Sequence, residues 1–245
     1  MAVISAASFA QENHIAIGGS YKQNFDTMLI SATAKLPTGW RANTVSTPRT
    51  VGSYFTAQNT TQFIAGANMP SPASGGIYNF GAGTTSNGNG DRAVGGLNTS
   101  SNPTSVNLFL DLINTGGTIT STALVPVDFR VSYSIEKYRN GTNNDGSAVQ
   151  LYYSLNGTSW TLAPDPVFTT VYAGDANNNG FSPAPAAGQT RFVNFSFTFP
   201  PGTTISSGVG HVYLAWNISV PPSADRKSTR LNSSHERLSR MPSSA

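Results

Sequence analysis

Two imidazoles, His14 and His211, are the only bases that residues 1–224 offer to a Ser/His/Asp mechanism. Such a mechanism needs a base that reaches the nucleophile and an acid that orients the base. His14 stands beside a small-residue segment and His211 opens an apolar strand pattern, so both read as surface or strand-end histidines. A glycoside hydrolase would need two facing carboxylates. The candidates Asp91, Asp111, Asp128, Glu136, Asp145, Asp165 and Asp175 are scattered over loops and strand exteriors, and no pair stands out. Absence of cysteine excludes disulfides, thiolate metal sites and thiol catalysis. The chemistry points away from an enzyme and toward a module without a cofactor.

Three groups of residues keep a binding reading open. Asp175, Asn177 and Asn179 with Gly180 match the first half of a calcium loop, Asp-x-Asn-x-Asn-Gly, but position twelve is Ala186 where the closing Glu belongs. One carboxylate and neutral oxygens hold calcium weakly, and Asn/Asp/Gly runs also make ordinary turns. Glu136 and Arg139 follow directly on an apolar strand. They form either a ligand clamp or, the favoured reading, a structural ion pair that fixes a sheet corner. Trp40, Trp160 and Trp216 suit sugar stacking if exposed and core packing if inward, and the apolar alternation around Trp160 and Trp216 favours the core.

The elements that must position these residues are strands. Val127, Phe129, Val131, Tyr133 and Ile135 alternate with polar residues, the period-two pattern of a half-buried strand. Val149, Leu151, Tyr153 and Leu155 repeat it, Asn156-Gly157 suits a two-residue type I′ hairpin turn, and Trp160 begins the return strand. Val106–Leu112, Val193–Phe199 and Val212–Val220 alternate likewise, with Gly/Asn/Ser/Thr loops between them, and no helical period of useful length appears. The expected fold is all-β, a two-sheet antiparallel β-sandwich of jelly-roll or concanavalin-like type. A parallel β-helix is the alternative, but no fixed-period repeat supports it.

The last 21 residues distort the bulk properties. Asp225–His235 and Ser239–Ala245, read back into codons in one frame, resemble the two ends of a short-read sequencing adapter, with Glu236–Leu238 at the position of its variable index. Residues 225–245 are therefore expected to be an artefactual, disordered tail. That tail carries five of the 14 Lys+Arg and two of the 11 Asp+Glu, which leaves nine of each in the remainder. A neutral module has no basic excess for phosphate backbones or anionic lipid, so no nucleic-acid partner is expected. Residues 1–10 read as the remnant of a signal peptide cut after Ser8-Phe9-Ala10, and 11–224 as a single β-sandwich domain. No stretch approaches the roughly 18 apolar residues of a membrane span.

Seven short motifs, in order along the chain, carry a resemblance. They are Gln23–Asp26, Leu36–Trp40, Ile77–Gly81, Asp91–Gly95, Glu136–Gly141, Tyr153–Trp160 and Tyr213–Asn217. Together they resemble a family of secreted β-sandwich modules that lead large exported or cell-surface proteins of environmental Gram-negative bacteria. The resemblance implies a further strand after Tyr213–Asn217, which this chain lacks, then downstream domains and an anchor. It also implies a non-catalytic accessory or adhesive role. The favoured function is a secreted or cell-surface binding module for carbohydrate or a cell-surface partner, with the loops at one end of the sandwich as its contact surface. A structural leader domain for a secreted enzyme such as a nuclease is the rival role.

Overall fold

The computed structural model describes residues 13–16, 18–64, 74–81, 92–99, 103–136, 148–164 and 190–219. Thirteen strands follow in chain order: β1 (Asn13–Ile15), β2 (Trp40–Val45), β3 (Phe63–Ile64), β4 (Gly76–Gly81), β5 (Arg92–Leu97), β6 (Ser105–Asn114), β7 (Ile119–Thr120), β8 (Asp128–Glu136), β9 (Ala148–Ser154), β10 (Thr161–Leu162), β11 (Thr190–Thr198), β12 (Thr204–Ile205) and β13 (His211–Ser219). Two single 3-10 turns, Asp26–Met28 and Tyr54–Thr56, are the only helical elements among the described residues. The fold is all-β, as the alternation predicts.

β6 organises the large sheet. One of its edges pairs with β13, and β13 pairs in turn with β9, which pairs with β10. Its other edge is shared end to end by antiparallel β2, over Ser105–Leu110, and parallel β1, over Leu112–Asn114. Along β6, Val106, Leu108, Leu110 and Leu112 turn to one face, and Ser105, Asn107, Phe109 and Asp111 to the other. The first set joins Val212, Leu214, Leu151 and Trp40 in the main core.

A second layer covers that apolar face in two pieces. Antiparallel β11 and β8 lie over the β9/β13 side, where Tyr153 stacks on Phe197 at 4.6 Å and Tyr133 meets Trp216 edge-on at 5.8 Å. The three-stranded sheet β3-β4-β5 lies over β6. At Gly96 of β5 a side chain would put its Cβ 2.5 Å from Cβ of Val106, so only glycine permits this approach.

Three expectations need correction. The β9–β10 connection is not a two-residue type I′ turn: it spans Leu155–Trp160, and Gly157 alone has positive φ (+70°). Asn156 uses its side chain instead, its Oδ1 accepting from the N–H groups of Thr158 (3.0 Å) and Ser159 (2.8 Å). β6 is buried on both faces for nearly its whole length, not half-buried, because residues 51–57 form an extra layer on its outer side. β13, which a missing next strand would leave as a sheet edge, is instead flanked by β6 and β9 on its two edges.

Candidate functional site

The outer face of the large sheet carries a second hydrophobic cluster, made by Phe109, Tyr54, Ala57, Tyr213 and Ala215 with Val51, Tyr152 and Trp160 packed on it. The loop before the 3-10 turn Tyr54–Thr56 is tied down by Trp160, whose indole N–H donates to the Gly52 carbonyl (2.9 Å), and by the Tyr54 N–H donating to the Gly157 carbonyl (2.9 Å). Ser53 caps the turn, its hydroxyl accepting from the Phe55 N–H at 3.2 Å. The consequence is local: Tyr54 points inward and is buried, while its neighbour Phe55 points out and is 56% exposed.

Beside Phe55 the sheet brings a histidine and a carboxylate together. His211 opens β13 and Asp111 lies near the end of β6, and antiparallel pairing places His211 opposite Ile113 and Tyr213 opposite Asp111. The His211 Nδ1 lies 2.7 Å from Asp111 Oδ1, with side-chain exposures of 28% and 17%. An ionised carboxylate only accepts, so Nδ1 carries the proton and Nε2 of the neutral ring is an acceptor. The imidazole also stacks on Tyr213 at 5.4 Å and 9°, and Tyr213 meets Phe55 at 5.9 Å. Gly157, with φ +70°, lets the β9–β10 loop approach this strip, since a Cβ there would sit 3.0 Å from Phe55. The result is an aromatic strip, Phe55–Tyr213–His211, with a carboxylate at one end.

Arg41 closes the other side. Its guanidinium sits 4.8 Å over the Tyr54 ring and donates to the carbonyls of Phe55 (3.3 Å) and Ala57 (3.4 Å). Burial pushes the Tyr54 phenol above the usual tyrosine value, the Asp111 charge pushes it further, and Arg41 works against both. A folded pKa above the unfolded one means that this contribution to stability is whole below about pH 10 and is lost as pH rises through the folded value. Tyr54→Phe is therefore expected to lose less stability than the parent between about pH 9 and pH 11, read from urea midpoints across that range.

A His–Asp pair is two parts of a nucleophilic triad, but among the described residues no hydroxyl hydrogen-bonds to Nε2 of His211. The sequence reading found nothing converging on His211; the structure brings Asp111 to it across 100 positions of chain. His14 pairs opposite Ile113 in β1 and is exposed. Asp128 accepts from the Thr198 hydroxyl at 2.6 Å, a cross-strand contact to which no second carboxylate is joined among the described residues. Glu136 closes β8 opposite Thr190, and Arg139, its expected ion-pair partner, lies outside the described residues, as do Asp175, Asn177 and Asn179. Trp40 is buried in the main core, Trp216 is partly buried against it, and Trp160, just before β10, is partly buried against the outer cluster, so none of the three forms an exposed aromatic row. Trp40 is 8% exposed and stacks on Trp216 at 5.4 Å, and Trp160 packs against Phe109 at the same distance.

Three of the sequence motifs meet around one buried cation. Asp26 Oδ1 accepts from the Arg92 N–H (3.1 Å), and the Arg92 guanidinium donates to Asn79 Oδ1 (2.9 Å), the Asn79 carbonyl (2.9 Å) and the Gly81 carbonyl (3.2 Å). Arg92 is 3% exposed, so Gln23–Asp26, Ile77–Gly81 and Asp91–Gly95 serve here as architecture that clasps β5 to β4. In comparisons with known proteins, no family model, no curated protein and no solved structure matches the chain.

Proposed function

We propose that this chain is a non-catalytic, secreted or cell-surface binding module that takes carbohydrate on the outer face of its large sheet. The observation that carries this reading is the exposed Phe55 ring beside the partly exposed His211–Asp111 pair, the two joined by the buried Tyr213 ring that contacts both Phe55 and His211. A pyranose offers an apolar C–H face to an aromatic ring and hydroxyls to a carboxylate or imidazole at its rim; Phe55 supplies the exposed ring and His211 with Asp111 the polar rim, while the buried Tyr213, at 68° to the Phe55 ring, supports both from beneath. The residues stand on a rigid frame: Tyr213 and Asp111 are strand residues, and Phe55 is held by the capped turn. The export expectation rests on Met1–Ala10 and the resemblance of the seven motifs.

The experiment is binding of the full chain to an array of immobilised oligosaccharides, repeated with Phe55→Ala and Asp111→Asn. At least one glycan class should be retained, and each substitution should weaken it at least tenfold, about 1.4 kcal/mol. Phe55→Ala should leave the thermal midpoint within about a degree or two, because the ring is mostly in water. Binding to no glycan, or equal binding by both variants, would leave the structural leader domain as the better reading.

A further inference from the structure

At one end of the sandwich β6 and β9 finish, β13 begins, and β11 finishes opposite the start of β8. The segments that turn the chain there, 115–127, 155–164 and 199–210, contain no Asp, Glu, Lys or Arg. Two of the turns are apolar at their tips. Ala123, Leu124, Val125 and Pro126 are exposed in an unbroken run between β7 and β8, Leu124 to 94% and Val125 to 67%. Pro200 and Pro201 are exposed on the neighbouring turn. Turns ordinarily take Gly, Asn, Asp or Ser, and a run of four apolar residues held out in water does nothing for the fold itself.

The tips are tied down and keep their backbone donors occupied. The Thr122 N–H donates to the Val125 carbonyl (3.0 Å), and the Val125 N–H to the Thr122 hydroxyl (2.9 Å). Ser121 staples the two turns together: its hydroxyl donates to the Phe199 carbonyl (2.8 Å), and its carbonyl accepts from the Gly202 N–H (2.7 Å). Pro126, Pro200 and Pro201 have no N–H to satisfy. The β9–β10 loop adjoins the second turn, Leu155 facing Pro200 and Thr203 across a small pocket. Its N–H groups from Asn156 to Ser159 all donate to Ser154 Oγ or Asn156 Oδ1. Donors paired in this way can leave water without the penalty that keeps most loops out of an apolar phase.

We propose that this end of the sandwich docks on the surface of an uncharged lipid bilayer, with Leu124 and Val125 inserted at the boundary of the acyl chains and Pro200, Pro201 and Leu155 resting among the headgroups. The shape of the tips favours this partner. A fluid bilayer accepts separate protruding side chains wherever they fall, whereas a protein partner must present a fitted pocket to each. The chemistry around the tips agrees. Thr122, Thr158 and Ser159 are exposed and offer uncharged hydroxyls at headgroup depth, and the absence of Lys and Arg from the three segments suits neutral rather than anionic lipid. Binding of this kind is driven by the apolar area that leaves water and is indifferent to salt. The proposal does not rest on the sugar strip, none of whose residues lies in the two tips.

The test is flotation of the full chain with vesicles of phosphatidylcholine alone, a lipid without net charge, on which the five cations of residues 225–245 have nothing to hold. The chain should float with the vesicles, equally at about 0.1 M and about 1 M salt. The double substitution Leu124→Ser, Val125→Ser should raise the lipid concentration for half-binding by about tenfold or more. Phe192→Ser is the control: that ring is 84% exposed, but it lies on β11 six positions before Thr198, about 20 Å from this end, and should change binding less than about twofold. Both variants should keep the thermal midpoint within about a degree or two, since the side chains removed stand in water. Leu124→Trp should still bind, and its added fluorescence should be quenched by lipid brominated on the acyl chains. Failure of the parent to float, equal flotation of the double variant, or an equal loss with Phe192→Ser overturns the proposal. A complex that forms without vesicles and vanishes in the double variant would give the tips to a second copy of the chain, and overturns it as well.

Discussion

Phe109→Ala should lower the unfolding free energy by about 3–5 kcal/mol, the cost of removing a fully buried aromatic ring. Phe109 has no exposed surface and stands at the middle of β6 on the outer side of the sheet. Its ring meets Tyr54 edge-on at 6.3 Å and Trp160 at 5.4 Å, the two residues that hold the loop bearing Phe55. The void left by alanine lies beneath that loop, so the substitution should also weaken sugar binding beyond what Phe55→Ala alone would do. Urea unfolding of the two variants separates the effects: a large loss for Phe109→Ala and less than about 1 kcal/mol for the exposed Phe55→Ala. A loss below about 1 kcal/mol at Phe109 would show that the outer layer does not pack on the sheet.

The strands that alternate cleanly were legible in the sequence: β8 and β11 face the core on one side and write that difference every second residue, and β13 alternates too, large apolar with smaller or polar residues, although both its faces are buried. β2, β4 and β5 were not. β4, Gly-Ile-Tyr-Asn-Phe-Gly, is buried at every position, and it keeps Asn79 inside by donating to the Leu29 (2.8 Å) and Ser31 (2.9 Å) carbonyls while accepting from Arg92. A strand buried on both faces loses its period, and a buried amide reads as a loop residue until its partners are known. Arg92, at the head of β5, looks like surface charge for the same reason. The sugar strip was hidden for a different one. Asp111 and His211 are each unremarkable in sequence, and only the register of β6 against β13 brings them together. Phe55 has no periodic signal at all, since a single capped turn decides which of two adjacent aromatic residues faces water.

Asn107→Asp should be at least as damaging, and its damage should depend on pH. Asn43, Asn107 and Asn217 stand in one row across β2, β6 and β13. Asn107 donates through Nδ2 to Asn43 Oδ1 (2.9 Å) and to the Thr50 carbonyl (3.1 Å), and its Oδ1 accepts from Asn217 Nδ2 (2.6 Å). Asn217 Nδ2 also donates to the Thr50 carbonyl (3.1 Å), so two amides of the row fasten the loop that leads to Phe55. Aspartate keeps the shape and removes the donor. Its carboxylate would face two acceptors at a fully buried position, a loss of about 3–5 kcal/mol when ionised. Desolvation raises the pKa of that carboxyl in the folded state, so the native form holds its proton to higher pH than the unfolded chain. Below the unfolded value of about 4 both states are protonated and the charge penalty is absent; it grows as pH rises and is complete above the folded value. Urea midpoints of the variant and its parent should therefore converge toward pH 4 and separate toward pH 8. A gap that is the same at both ends of that range would mean that the row is open to water, and that Thr50 and the loop beyond it are held by other contacts.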